Sequence, residues 1–137
     1  MIPVFADTAL YVALANRKDA IHERALAFFS SFTGELLTTD FVLLEVANFH
    51  SRSALRRPFL NLYDRITSDP STEIVRVDSD LFDQGMELFS ERDDKDWSLT
   101  DCISFVVMKQ RELSEALTSD HHFEQAGFRA LLLDQTT

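Results

Sequence analysis

The chain opens with a short apolar run that ends in an acid, Ile2-Pro3-Val4-Phe5-Ala6-Asp7. The run has the length of a β-strand, and the residues after it, from Thr8 to Leu14, are typical of a helix. Farther along the chain, short apolar segments continue to alternate with helical patterns. Because strands that alternate with helices form parallel sheets, this arrangement predicts an α/β fold.

Four further short apolar strands are predicted, over residues 35–38, 73–77, 116–118 and 129–133. Helical periodicity is predicted over residues 19–32, 41–53, 80–89, 99–111 and 122–126. One more helix is expected to carry Pro58 in its first turn and to run toward Ser68. The predicted fold class is therefore a three-layer α/β sandwich, with helices on both faces of a central, mostly parallel five-stranded sheet.

Size and composition fit one globular domain over residues 1–137. Of these residues 45% are hydrophobic, and 3 Gly and 3 Pro are too few for a turn-rich all-β fold. The single cysteine, Cys102, cannot form an internal disulfide, so we expect a reducing cytoplasm. The N-terminus lacks a basic leader, and no apolar run approaches the roughly 20 residues that cross a bilayer. We therefore expect a cytoplasmic protein without a membrane segment.

The charge of the chain limits how it could bind nucleic acid. Lys and Arg number 13 and Asp and Glu 23, which gives a net charge of -10. Bulk charge of this sign opposes non-specific binding to nucleic acid or to an anionic membrane. Binding through a metal ion or a local basic patch remains open. Arg52, Arg56 and Arg57 could form such a patch, although each is equally explained as a solvated helix-surface charge.

Four carboxylates are placed where they could meet. Asp7 ends the first strand and Asp120 directly follows the fourth, and strand carboxyl ends share one edge of a parallel sheet, where ligands bind. Glu45 lies in the helix that follows the second strand, near the same edge if the connection is short. Asp101 opens the helix before the fourth strand, and it reaches this edge only if its helix starts there. The sequence leaves that point open.

Each acid also has a purely structural explanation. Asp7 and Asp120 could cap the helices that follow them. Ser98 and Asp101 have the spacing of a capping box. Glu45 is harder to explain, because a lone carboxylate within an apolar helix face costs several kcal/mol unless it is compensated. A solvent-facing position at the rim is the alternative for Glu45.

Taken together, several carboxylates at one edge repel one another, and a hard divalent cation removes that repulsion. Oxygen ligands favour Mg²⁺ or Mn²⁺. A zinc site is disfavoured, because Cys102 stands alone and His121 and His122 are adjacent, an arrangement that we interpret as a solvated helix start. The sequence has no dinucleotide-binding, P-loop or α/β-hydrolase motif.

The segments around these acids resemble the PIN domain, in order and over essentially the whole chain. The matching segments are Val4-Phe5-Ala6-Asp7-Thr8, Leu37-Thr38-Thr39-Asp40 with Glu45 and Asn48, Trp97-Ser98-Leu99-Thr100-Asp101, and Leu117-Thr118-Ser119-Asp120 with Phe123 and Gly127-Phe128. The resemblance implies a metal-dependent ribonuclease that hydrolyses RNA phosphodiester bonds. Many such proteins are VapC-type toxins that pair with an antitoxin.

The resemblance also implies the roles of individual residues and partners. The catalytic, Mg²⁺- or Mn²⁺-binding acids would be Asp7, Glu45, Asp101 and Asp120. Supporting positions beside the site would be Thr39, Thr118 and Asp96, although a solvated loop equally explains Asp96. The expected partners that follow from the resemblance are an RNA substrate and an antitoxin protein, and the large apolar content of the chain adds a second copy of the chain as an expected partner.

Two other functions remain open at this point. A phosphoryl-transfer enzyme could use Asp7 as its nucleophile, although no second acid follows two residues later and no lysine follows the late strand. A non-catalytic PIN-like module could bind RNA or a partner protein without cutting. Trp97 could stack on a base, but a lone Trp beside a helix start more often packs in the core.

Overall fold

A five-stranded parallel sheet lies at the centre of the molecule, in a computed structural model that describes residues 2–133. The strands are β1 (Val4–Ala6), β2 (Leu36–Thr39), β3 (Thr72–Val75), β4 (Glu115–Leu117) and β5 (Arg129–Ala130). Their order is β3-β2-β1-β4-β5, and each neighbouring pair is parallel. The predicted fold class is confirmed, with a sheet that is parallel throughout.

Helices cover the sheet between successive strands. They are α1 (Thr8–Ala15), α2 (His22–Ser31), α3 (Asp40–Phe49), α4 (Ser53–Ser68), α5 (Ser79–Glu91), α6 (Leu99–Gln110) and α7 (His121–Gln125). Crossovers between parallel strands are almost always right-handed, which puts α1 to α4 on one face and α5 to α7 on the other. None of the helices within residues 2–133 is long and apolar enough to cross a membrane.

The central strands are buried on both faces, which explains why exposed polar residues do not alternate with apolar ones along them. Every residue of β1 and β2 is buried, with Phe5 and Leu37 fully inaccessible. Trp97 belongs to the same core: its ring packs edge-to-face on Phe105 at a centroid distance of 5.0 Å, and its Nε1 donates to Gln125 Oε1 at 3.0 Å. Of the two roles considered for Trp97, the structure supports core packing.

The predicted helix over residues 41–53 ends four residues earlier than expected, and the separately predicted helix with Pro58 begins at Ser53. Helix α3 ends at Phe49, and α4 begins at Ser53 after a break at His50–Arg52. Pro58 is consequently the sixth residue of α4 and does not lie in the first turn as predicted. A proline there removes one helical hydrogen bond. The start of α4 tolerates the loss because residues 53–58 are all exposed, so water can reach the unpaired carbonyl.

The buried face of α3 is formed by Val42, Leu43 and Val46, whereas the apolar side chains of Leu44 and Phe49 are 55% and 58% exposed. The reason is the connection to β2. Helix α3 follows β2 without a loop, and Thr39 Oγ1 accepts a hydrogen bond from the backbone N–H of Val42 at 3.1 Å. This cap fixes the rotation of the helix about its axis.

Two further boundaries are set by local hydrogen bonds. Helix α2 begins at His22 and not at Asp19, because Asp19 Oδ1 accepts the backbone N–H of Ile21 at 3.0 Å and forms a turn before the helix. Strand β5 ends at Ala130 and not at Leu133, because the chain turns there and the N–H of Leu133 donates to the carbonyl of Ala130.

Candidate active site

The crevice between the carboxyl ends of β1 and β4 is where the strand order reverses. From β1 the chain moves outward through β2 to β3, then crosses back to β4 on the other side. Ligands bind at such a switch point in open α/β sheets. Ala6 is in register with Leu117, so Asp7 and Thr118 follow side by side. Thr118 Oγ1 donates a hydrogen bond to Asp7 Oδ2 at 2.8 Å.

Asp7 is a buried acid within this crevice. Only 4% of it is exposed, and its side chain makes no capping hydrogen bond for α1, which removes the structural explanation considered for it. Burial raises the pKa of Asp7 to about 7, and the charges of Asp101 and Asp120 raise it further against the hydrogen bond from Thr118. At neutral pH the carboxyl group of Asp7 is therefore only partly ionised, and a bound cation would favour its ionised form.

Asp101 lies at the same edge, which answers the point that the sequence left open. The capping box is confirmed: Ser98 Oγ accepts from the N–H of Asp101 at 3.0 Å, and Asp101 Oδ2 accepts from the N–H of Ser98 at 3.1 Å. Burial raises the pKa of Asp101, followed in size by the charge of Asp120, and Glu45 also raises it. The cap thus holds a buried carboxylate among other acids.

Asp120 is tied to Asp7 through Thr118. The backbone N–H of Asp120 donates to Thr118 Oγ1 at 3.0 Å, so one hydroxyl connects both acids. Asp120 Oδ1 accepts the backbone N–H of His122 at 2.9 Å, which confirms its helix-capping role as well. Asp120 remains half-buried, and its charge raises the pKa of both Asp7 and Asp101.

Glu45 approaches this group from α3. Helices α3 and α6 are in contact, and the charge of Glu45 acts on the pKa of Asp101. Glu45 is half-buried. Its exposure is therefore intermediate between a buried position in an apolar helix face and a solvent-facing position at the rim, the two alternatives considered from the sequence. Thr39 is fully buried, and its role is to cap α3 and so to orient the helix that carries Glu45.

His122 is a member of the site that the sequence interpretation missed. Its Nδ1 lies 3.1 Å from Asp120 Oδ1 and 3.4 Å from Asp101 Oδ2. The solvated helix start fits His121, whose side chain is 66% exposed, but it is wrong for His122, whose side chain is 21% exposed. The sequence signal was the spacing: His122 stands two residues after an acid that follows a strand. Only the turn made by the Asp120 cap directs the ring inward.

The remaining predicted residues are exposed. Asp96 is exposed in the loop between α5 and α6. Arg52, Arg56 and Arg57 are exposed around the start of α4, where Arg56 Nε donates to the carbonyl of Ser51. No hydrogen bond or ion pair within residues 2–133 joins these arginines to the acids, so their role in RNA binding stays a prediction.

The ligand chemistry of the site fits a hard divalent cation. The carboxylates of Asp7, Asp101 and Asp120 lie at the crevice, and the charge of Glu45 acts on Asp101. No ion pair within the described part of the chain joins a Lys or Arg to any of the four. Like charges in a buried place raise one another's pKa, and a bound cation reverses that effect. Carboxylate oxygens are the ligands that Mg²⁺ and Mn²⁺ take in proteins.

Comparison with known proteins shows which proteins the whole chain resembles. The chain is 29% identical over 125 residues to the 23S rRNA-specific endonuclease VapC20 of Mycobacterium tuberculosis. The matched residues are 91% of this chain and 95% of the relative. The crystal structure of VapC20, described as a toxin that cleaves the sarcin-ricin loop, superposes with a TM-score of 0.84 at 27% identity over the same shares.

A more distant structure shares the fold. FitAcB from Neisseria gonorrhoeae superposes with a TM-score of 0.64 at 17% identity, over 93% of this chain and 94% of the other. The PIN domain model matches residues 4–129. The fold, the acids at its switch point and this match lead to one conclusion: the chain belongs to the PIN domain family, and the predicted ribonuclease class is confirmed.

Proposed function

We propose that Asp7, Glu45, Asp101 and Asp120 bind Mg²⁺ or Mn²⁺, and that the chain cuts 23S ribosomal RNA in its sarcin-ricin loop. The single observation that carries the metal site is Asp7, a buried carboxyl whose pKa is raised to about 7 among other acids. The substrate rests on the likeness to VapC20 over nearly the whole of both chains.

A metal ion held by these acids would supply the chemistry of phosphodiester hydrolysis, by lowering the pKa of a bound water and stabilising charge on the phosphate. The chain's own contribution is to hold the ligand oxygens in place before the ion arrives. Ser98 fixes the carboxylate of Asp101, and Thr118 connects Asp7 to the backbone of Asp120. Such pre-organisation lowers the cost of assembling a metal site.

RNA binding also requires positive charge near the RNA backbone. Because the net charge of the chain is -10, it matters where its positively charged side chains lie. We propose that Arg52, Arg56 and Arg57 contact phosphates, since they are exposed and close together in sequence. Replacing all three with Gln is expected to weaken RNA binding uniformly across sequences and to reduce its salt dependence, while metal affinity stays unchanged.

We further propose that the chain acts in the cytoplasm as a toxin, is controlled by an antitoxin protein, and forms a homodimer. Support comes from the toxin description of VapC20 and from large apolar side chains left exposed on α3 and α5. These side chains are Leu44, Phe49, Phe82, Met86 and Phe89. Light scattering of the purified chain measures its oligomeric state, and a monomer at micromolar concentration would contradict the homodimer.

Cleavage of a defined RNA tests the proposed function directly. Purified protein is incubated with a 23S rRNA fragment that contains the sarcin-ricin loop, and with a fragment in which that loop is scrambled. Cleavage is expected only of the intact loop, only with Mg²⁺ or Mn²⁺, and not after chelation. Asp7→Asn and Asp101→Asn are each expected to lower the rate at least about a hundredfold. Asp83→Asn, an exposed position on α5, serves as the control.

The outcomes separate the candidate functions. Metal-independent cleavage, or full activity in Asp7→Asn, would overturn the metal mechanism. Cleavage of both fragments alike would retain the ribonuclease and overturn the proposed target. Metal binding without cleavage of either RNA would favour the non-catalytic module.

A further inference from the structure

We propose that His122 is a ligand of the metal in this site and that its nitrogen makes the site prefer Mn²⁺ to Mg²⁺. The inference rests on the proposed function, because it adds a residue to the metal site formed by the four acids. His122 lies on α7, the helix capped by Asp120, and it comes from outside the carboxylate set that the sequence predicted.

The position of the ring carries the inference. His122 Nδ1 is 3.1 Å from Asp120 Oδ1 and 3.4 Å from Asp101 Oδ2, so it stands between carboxylates from two different elements. Neighbouring ligand atoms in an octahedral shell of about 2.1 Å radius lie about 3 Å apart. Both distances from His122 Nδ1 are therefore close to the separation of neighbouring ligand atoms around one ion.

The hydrogen bonding of the ring points the same way. Nδ1 is inaccessible to solvent and makes no hydrogen bond of acceptable geometry, although two carboxylate oxygens are near it. The Asp120 oxygen beside it already accepts the backbone N–H of His122. A buried ring nitrogen without a hydrogen bond, facing two anions, is an arrangement that a cation between the three atoms would satisfy.

A nitrogen ligand changes which metal the site prefers. Mg²⁺ in proteins is bound by carboxylates, phosphates and water, all of them through oxygen. Imidazole is instead a ligand of transition metals. Asp7, Glu45 and Asp101 alone would suit either ion, so His122 is the residue of this site that distinguishes Mn²⁺ from Mg²⁺.

An imidazolium ion paired with both acids is the competing explanation, and it predicts the opposite response. In that case His122 occupies the place of the metal, and its removal leaves metal affinity unchanged or increases it. If His122 is instead a metal ligand, its removal weakens Mn²⁺ binding. Mg²⁺ binding is then hardly affected, since oxygen ligands and water remain for Mg²⁺.

Pulsed electron paramagnetic resonance on the Mn²⁺-loaded wild-type chain provides a readout independent of activity and of any substitution. A nitrogen coupling to Mn²⁺ is expected, and it should change when the protein is made with ¹⁵N-labelled histidine. His122→Ala and His122→Gln are each expected to abolish this coupling and to raise the Mn²⁺ Kd about tenfold or more, with the Mg²⁺ Kd changed less than about threefold. His121→Ala, the exposed neighbour, should behave as wild type.

The results distinguish this inference from the proposed function. If Mn²⁺ binds to the wild-type chain without a nitrogen coupling, or if the coupling is lost only in His121→Ala, His122 is not a ligand. Either result would leave the proposed carboxylate site unaffected. Unchanged or tighter Mn²⁺ binding in His122→Ala would support the imidazolium ion pair and overturn the ligand role. No Mn²⁺ binding by the wild-type chain, in a titration that detects millimolar affinity, would overturn both proposals.

Discussion

Thr118 is the residue on which the arrangement of the site most depends. Its hydroxyl donates to Asp7 Oδ2 at 2.8 Å and accepts from the backbone N–H of Asp120 at 3.0 Å. It is fully buried, so water cannot replace either hydrogen bond. A single hydroxyl thus fixes one carboxylate and the backbone position of the next, which ties β1 to the loop after β4.

Thr118→Val tests this connection, because valine keeps the shape and removes the hydroxyl. Two buried groups lose a partner, so the free energy of unfolding is expected to fall by about 1–3 kcal/mol in urea denaturation. The Mn²⁺ Kd, measured by calorimetry, should rise about tenfold. Thr118→Ser keeps the hydroxyl and is the control. Equal metal affinity in the valine and serine variants would contradict the role given to Thr118.

At the scale of secondary-structure elements, helix starts place the acids. The capping box of α6 holds Asp101, the Thr39 cap orients the helix that carries Glu45, and Asp120 is itself the cap of α7. Structural and functional explanations of these acids are therefore not exclusive. The position of α6 also depends on its packing against α5, where Gly85 faces Ile103.

Gly85→Ala tests that packing. A Cβ at this position would overlap the side chain of Ile103, which is buried and branched at Cβ and so has little freedom to move. We expect the free energy of unfolding to fall by about 1–3 kcal/mol, despite the better helix propensity of alanine. Ser90→Ala, exposed on the same helix, should be neutral or slightly stabilising. A stabilised Gly85→Ala variant would show that α5 and α6 separate without cost.

For the molecule as a whole, the cost of the site is a pH-dependent loss of stability. The pKa of Asp7 rises from an ordinary value of 3.8 to about 7 on folding, first because of burial. Between these values the folded chain holds a proton at Asp7 that the unfolded chain has lost. The metal-free protein therefore loses stability as the pH rises from about 4 to about 7, and a bound divalent cation offsets the loss.

Unfolding by urea at pH 5 and pH 8, without metal, measures this effect. The wild-type chain is expected to lose on the order of 2 to 3 kcal/mol more than Asp7→Asn between the two pH values. Saturating Mn²⁺ should stabilise the wild type more at pH 8 than at pH 5, because the cation binds the ionised carboxylate. A parallel pH dependence in the two chains would contradict the raised pKa of Asp7.

The sequence predicted most of the fold because its signals are local. Each of the five strands overlaps an observed strand, since short apolar runs between helices are visible without knowing the partners of each strand. It was wrong about where α3 ends and about the position of Pro58 within α4. A helix end depends on local capping and on packing against neighbouring elements, and hydrophobic periodicity reports neither.

For the site, the order of residues along the chain shows which acids follow strands or open helices, and so which could share an edge. The packed fold was needed to show that α6 begins at that edge, that the charge of Glu45 acts on Asp101, and that His122 turns inward between Asp101 and Asp120. The two kinds of information differ in the sequence separation of the residues involved. A strand end or a helix cap involves residues a few positions apart, whereas Thr118 meets Asp7 across 111 positions and only after β1 and β4 have paired.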